Sequence, residues 1–76
     1  MKEKKVWQGK APKCDICLAL ENVVNYPDRF IDGRVQNRGS WAIMCEECFE
    51  LYGSGLGTGF GQLYEKQGEE FVKIAG

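Results

Sequence analysis

The sequence contains no histidine, only two prolines and no large excess of charge of one sign. Because histidine is the usual general base near pH 7, its absence argues against acid–base catalysis, and we expect a protein that is not an enzyme. No apolar run approaches the ~20 residues of a membrane-spanning helix. No apolar segment follows the lysine-rich N-terminus, so we expect no secretory signal and a reducing, cytoplasmic location.

The formal net charge is −1, which is not the strong positive excess of a dedicated phosphate-backbone binder. Its charges are unevenly distributed. Residues 1–13 are rich in lysine, and we expect them to form a flexible basic arm that docks, if at all, through Val6 and Trp7. Residues 14–76 are then expected to form a single domain, which is basic in its middle and acidic later.

A chain of 76 residues buries only ~60% of the surface that its unfolded form exposes, so its core needs an additional stabilising device. The four cysteines occur as two C-x-x-C pairs, Cys14 with Cys17 and Cys45 with Cys48. In a reducing compartment this spacing indicates metal ligands. Without histidine, four thiolates are the only tetrahedral nitrogen–sulfur set for zinc. We therefore predict one structural Zn²⁺, whose closed ligand shell leaves no position for a substrate.

Two other interpretations of the cysteines stay open. In an oxidising compartment they could form disulfides. The same ligands could also hold iron in a rubredoxin-like electron carrier. Rubredoxin knuckles typically carry glycine just after the second cysteine, however, and this chain has Leu18 and Phe49 there.

Local signals predict the remaining elements. Residues 25–28 read as a turn, and Asp32-Gly33 between two short β-capable runs predicts a type I′ hairpin with strands at 29–31 and 34–36. A second turn is expected at 37–40 and a strand at 41–44. Cys45, Cys48, Phe49 and Tyr52 are spaced at i, i+3, i+4 and i+7, which predicts a helix that ends at Gly53.

Glycine alternates with other residues from Gly53 to Gly61, which excludes a helix there. Either this segment lies flat against the metal site or Trp41, or its exposed N–H groups bind an anion or a partner. Residues 62–66 and 69–74 predict a terminal hairpin. We expect a core around the metal and further aromatics on the other face or on a partner surface. The expected core residues are Trp41, Ile43, Phe49 and Tyr52, and the further aromatics are Phe60, Tyr64 and Phe71.

A knuckle before a β-hairpin, with a second knuckle in the first turn of a helix, is the arrangement of a treble-clef zinc finger, which residues 14–53 resemble. More narrowly, W-A-x-M-C-x-x-C from Trp41 and Y-G-x-G-L-G-T-G-x-G-Q from Tyr52 resemble a group of small zinc-ribbon proteins of bacteriophages. The resemblance covers residues 14–76. It implies a treble-clef-like α+β zinc domain with a terminal hairpin, in a phage protein that acts in a bacterial cytoplasm. It implies no particular activity.

Two functions follow as hypotheses. Near-neutral charge, the acidic helix and nine aromatic residues favour a protein-interaction module, whose partner is a host factor or a second copy. Its candidate interface is the glycine segment, Gly55, Leu56, Gly57, Thr58, Gly59 and Phe60. The alternative is a single-stranded nucleic-acid binder, with no membrane or small-molecule ligand in either case. Its candidate phosphate contacts are Arg29, Arg34, Arg38, Lys10 and Lys13.

Overall fold

The computed structural model describes residues 5–36, 39–57 and 59–76. Within these residues the chain forms two short helices and a four-stranded antiparallel sheet, which is an α+β arrangement. The elements are α1 (Asp15–Glu21), β1 (Arg29–Arg34), β2 (Trp41–Cys45), α2 (Glu46–Tyr52), β3 (Gly61–Gln67) and β4 (Glu70–Ala75). The strands lie in the order β2-β1-β3-β4, so the pairing of β1 with β3 joins the two hairpins.

Strand β1 runs straight through Asp32-Gly33, so the predicted type I′ turn at this dipeptide is wrong. Gly33 lies opposite Gly61 of β3. A Cβ on Gly33 would fall 2.9 Å from the carbonyl oxygen of Phe60 and 3.0 Å from the Cα of Gly61. Glycine is required here because the backbones of β1 and β3 approach each other closely. Close backbone approach is a common reason for glycine within a strand.

The first hairpin instead joins β1 to β2. Across its connection the N–H of Val35 donates to the carbonyl of Ser40 at 2.8 Å. The turn predicted at 37–40 includes Asn37 and Arg38, which lie outside the described residues. The strand predicted at 41–44 is confirmed as β2, which continues to Cys45.

Helix α1 follows the first cysteine and was not predicted from the sequence. Its N-cap is Cys14, and it ends at Asn22, which adopts the left-handed conformation with φ of 55°. Cys17 is its one buried residue. A helix that buries a single side chain has no apolar stripe, so periodicity could not reveal it.

The predicted second helix and terminal hairpin are confirmed as α2 and as β3 with β4. Gly53 is the C-cap of α2, as predicted, but its φ of −79° is not left-handed. A Cβ there would instead collide with the Phe49 ring. Gly53 therefore allows the chain to pass close to α2, where it forms a β-bridge with Val35.

The buried side chains form two clusters on opposite faces of the sheet. On one face Phe30, Tyr64 and Phe71 are buried, and Trp7 and Ile43 pack against them. The rings of Phe30 and Tyr64 are stacked, with centroids 5.1 Å apart. On the other face are the four cysteines with Val35 and Met44. Along β2, the neighbouring residues Ile43 and Met44 belong to different clusters because successive residues of a strand point to opposite sides.

Two of the four residues expected around the metal are not in the core. Trp41 is 49% exposed and Tyr52 is 37% exposed. Phe49 does pack against the cysteine cluster, whereas Ile43 packs against the aromatic cluster. Ile43 was misplaced because it alternates with Met44 along β2, and Met44 is the residue that faces the cysteines.

The middle of the N-terminal arm contacts the sheet. Val6 forms a β-bridge with Val72, and the N–H of Trp7 donates to the carbonyl of Phe71 at 2.9 Å. The indole packs edge-on against Phe30, with ring centroids 5.1 Å apart. Docking through Val6 and Trp7 is therefore confirmed.

Candidate metal centre

The four cysteines occupy equivalent places at the starts of the two helices. Cys14 is the N-cap of α1, and Cys17 lies in its first turn. Cys45 ends β2 and is the N-cap of α2, whose first turn contains Cys48. A C-x-x-C pair across a helix start places its two sulfurs on the same side of the chain. All four cysteines are buried.

The four sulfur atoms lie within 4.8 Å of one another. Cys17 Sγ is 3.8 Å from Cys45 Sγ and 3.6 Å from Cys48 Sγ. A tetrahedron with metal–sulfur bonds of ~2.3 Å has sulfur–sulfur edges of about 3.8 Å, whereas a disulfide brings its sulfurs to about 2.05 Å. All four thiols are free, so the disulfide interpretation is wrong for this structure. These four cysteines could hold one metal ion.

Backbone N–H groups stabilise negative charge on one of the sulfurs. Cys14 Sγ accepts from the N–H of Cys17 at 3.4 Å and from the N–H of Cys45 at 3.2 Å. Burial alone would raise the pKa of the Cys14 thiol, but these two donors and the hydrogen bonds from the Cys17 and Cys48 side chains together lower it. Cys14 therefore ionises more readily than an ordinary thiol.

Two other thiols resist ionisation in the bare protein. Hydrogen bonding to Cys14, followed by burial, raises the pKa of Cys17. Burial and then hydrogen bonding to Cys17 raise the pKa of Cys48 well above its ordinary value. Four thiolates at these separations repel one another, so a bound cation is needed to hold them all in the charged form.

Residues outside the two motifs support the site. The side-chain N–H of Asn25 donates to Cys17 Sγ at 3.9 Å, and the backbone carbonyl of Asn25 accepts from the N–H of Cys14 at 2.7 Å. Asp15 accepts from the N–H of Ile43 at 3.0 Å, which attaches α1 to the outer edge of β2. The sequence marked Asn25 only as part of a turn, and nothing in it singled out Asp15.

The candidate phosphate-binding residues do not form one patch in the described part of the chain. Arg29 and Arg34 stand at opposite ends of β1, about 17 Å apart at ~3.3 Å per residue, and point to opposite faces. Arg29 forms ion pairs with Glu65 at 2.6 Å and Glu46 at 3.8 Å. Arg34 is exposed.

The lysines of that set lie in the arm. Lys10 and Lys13 are both exposed, and the carbonyl of Lys10 accepts from the Trp7 indole at 3.1 Å. Arg38 lies outside the described residues. The nucleic-acid interpretation therefore stays a prediction.

The glycine segment shows two kinds of glycine. Gly61 faces the carbonyl of Gly55, and a Cβ there would lie 2.9 Å from that oxygen, so close backbone approach explains Gly61. Gly55, Gly57 and Gly59 have φ values of 110°, 130° and 85°, which other residues rarely adopt. A Cβ on Gly55 or Gly59 would meet no atom within 4 Å, and a Cβ on Gly57 would meet only the Phe60 ring at 3.9 Å, so these three glycines do not lie flat against the cysteines or Trp41.

The side chains of this segment are partly free. Phe60 is 48% exposed, while Leu56 borders a small cavity of about 180 Å³ with Phe49 and Leu63. Thr58 lies outside the described residues. The candidate interface therefore has one clearly exposed aromatic side chain, and its role in binding stays a prediction.

No match to this chain was found among protein-family models, curated protein sequences or solved structures. In the described ranges, no helix is long and apolar enough to cross a membrane.

Proposed function

We propose that this chain is a structural zinc-binding domain that mediates a protein interaction, and that it is a phage protein acting in a bacterial cytoplasm. The observation that carries the proposal is the buried tetrad of Cys14, Cys17, Cys45 and Cys48, with all sulfurs within 4.8 Å. Each helix buries one residue, and that residue is a ligand cysteine. A metal here organises the fold and presents its helices to a partner.

Zinc is the proposed metal, and the treble-clef relationship is part of the proposal. Zinc and iron both accept four thiolates in a tetrahedron, so sulfur spacing alone favours neither. Both C-x-x-C pairs begin helices here, and neither has the glycine expected after the second cysteine of a rubredoxin knuckle. Metal analysis of protein purified without added metal should find one zinc per chain. An iron-bound protein coloured by thiolate-to-iron absorption would contradict this part of the proposal.

The same tetrad supports a role without catalysis. A closed set of four thiolates leaves no position on the metal for a substrate. It also leaves no cysteine free as a nucleophile, and the chain has no histidine to act as a base. The phage origin rests on the two motifs that begin at Trp41 and Tyr52.

A pull-down from bacterial lysate, with and without nuclease, tests the interaction. We expect a specific protein that wild type retains after nuclease treatment and that a Cys45→Ser variant loses. The competing function is tested by retention of the pure protein on single-stranded DNA and RNA at about 50 mM salt. Salt-sensitive retention there, with no protein captured after nuclease treatment, would favour nucleic-acid binding.

A further inference from the structure

A groove of about 710 Å³ lies between the two helices. Its rim is apolar and open to solvent, with five large side chains that are each between 37 and 68% exposed. They are Leu20, Val23, Val24, Leu51 and Tyr52. The cysteines Cys17, Cys45 and Cys48 also line the groove, so the metal centre forms its inner wall.

The fold makes no use of these side chains. Leu20 of α1 and Leu51 of α2 point away from the sheet, because each helix buries only its cysteine. Singly exposed apolar residues are common, but a contiguous group around a concavity marks an interaction site. Half of the ten large hydrophobic residues that are exposed in the described part of the chain lie around this one groove.

The charge around the groove has one sign. Residues 15–25 and 45–52, which carry both helices, contain five acidic residues and no lysine or arginine. The rest of the chain contains ten basic and six acidic residues. Glu21 and Glu47 line the groove, and neither forms an ion pair within the described residues. Four thiolates around a divalent ion add a further net charge of −2 beside it.

The backbone around the groove offers little to an extended peptide. Most of its lining residues lie within α1 and α2 and not along a strand edge. On the nearest strand edge, the N–H of Ile43 is already taken by Asp15. Strand addition needs a free edge, whereas a helix binds a groove through side chains spaced at i, i+3, i+4 and i+7.

We propose that this groove binds a basic amphipathic helix from a protein partner. The apolar face of that helix would enter between Leu20 and Leu51, and its lysines or arginines would face Glu21 and Glu47. This inference rests on the proposed protein-interaction function and specifies the chemistry of the partner.

The test uses three synthetic helical peptides titrated into the zinc-loaded full chain. One carries leucine at the four helical anchor positions and lysine elsewhere. The second replaces every lysine with glutamate, and the third scrambles the leucines. We expect the first peptide alone to bind, to shift amide NMR signals within residues 16–25 and 45–52, and to bind more weakly at higher salt.

Two pairs of variants locate the site. Leu51→Ala should weaken binding of the basic peptide about 5- to 30-fold, the range for a buried interface leucine. Ile74→Ala removes a comparable exposed side chain from β4 and should change affinity less than about twofold. Glu47→Lys should weaken binding of the basic peptide strongly. Glu69→Lys makes the same change of net charge at the exposed turn between β3 and β4, and it should leave the affinity unchanged.

Three outcomes would overturn the proposal. In the first, the acidic peptide binds as tightly as the basic peptide. In the second, a test variant and its control, Leu51→Ala with Ile74→Ala or Glu47→Lys with Glu69→Lys, change the affinity equally. In the third, sedimentation equilibrium shows that the chain self-associates and that Leu51→Ala abolishes this self-association. A lysate protein that wild type and Leu51→Ala retain equally would reject the groove and leave the interaction function standing. Loss of all protein capture would reject the interaction function itself.

Discussion

If the tetrad holds zinc as proposed, removal of the metal by a chelator at neutral pH should unfold this chain, including its two helices. Each helix has seven residues, and its buried residue is a cysteine, Cys17 in α1 and Cys48 in α2. Isolated helices shorter than ~12–15 residues are marginal in water. In the proposed metal-bound form, the metal bonds would supply the tertiary contact that most helices obtain from an apolar face.

The magnitude follows from comparing the metal with the whole domain. Structural zinc contributes about 10–16 kcal/mol at pH 7, whereas a typical domain has a net stability of about 5–15 kcal/mol. Fixing the backbone of each helical residue costs about 1–2 kcal/mol of conformational entropy. Met44 and Val35, which are 0% and 6% exposed, also lose their cover when the cysteine cluster opens. The metal-free chain should therefore have a net stability near or below zero.

Far-UV circular dichroism and amide NMR spectra, recorded before and after chelation, measure this directly. We expect loss of helical signal and collapse of amide dispersion, with recovery on addition of one equivalent of Zn²⁺ but not of Mg²⁺, which prefers oxygen ligands. A Cys45→Ser variant should resemble the chelated protein. Retention of native amide positions for residues 15–21 and 46–52 after complete metal removal would refute the reasoning.

Three further predictions concern the sheet. Phe30→Ala should lower the free energy of unfolding by about 3–5 kcal/mol, measured by urea denaturation, because Phe30 is fully buried among three aromatic rings. Gly33→Ala should cost about 1–3 kcal/mol in the same assay, since backbone atoms block its Cβ; an unchanged midpoint would show that the two strands move apart easily. Burial raises the pKa of Asp32, so the folded state binds the carboxyl proton more tightly than the unfolded state does. The contribution of Asp32 to stability therefore falls as the pH rises from the ordinary pKa of an aspartate through the raised pKa of the folded state. The stability advantage of Asp32→Asn over wild type should therefore grow across that range, and a pH-independent difference would contradict it.

The metal site was the most predictable part of the molecule. Four cysteines in two C-x-x-C pairs, with no histidine in the chain, leave few alternatives, and the structure brings all four together. Helix α2 was predictable because its cysteines and Phe49 share one face. The terminal hairpin was predictable because a glycine, Gly68, lies between two short runs that can form strands, and it adopts the positive φ that the turn needs.

The wrong or absent predictions share a physical cause. Where the local sequence fits more than one conformation, contacts with distant parts of the chain decide which one forms. Asp32-Gly33 has the composition of a turn, but β1 pairs with both β2 and β3, and the glycine is needed where β3 approaches. Helix α1 buries only Cys17, so the hydrophobic periodicity of its sequence is weak. Its place in the fold is set instead by the contact of Cys17 with the cysteine cluster. The exposed position of Trp41 could not be predicted either, because it depends on which sheet face the arm covers.

The aromatic cluster and the cysteine cluster cover different faces of the sheet, and this arrangement connects metal binding to the proposed binding of a partner. The aromatic cluster and Trp7 cover one face, so only the face with the cysteines carries the two helices. Because Cys17, Cys45 and Cys48 line the groove between those helices, we expect the groove to form only while the tetrad is assembled. A partner that binds the groove must then bind the metal-bound state more tightly than the metal-free state. By linkage, the partner must raise the affinity for metal by the same factor by which metal raises the affinity for the partner. A groove partner that left the rate and extent of zinc loss to a chelator unchanged would break this connection, even if it bound tightly.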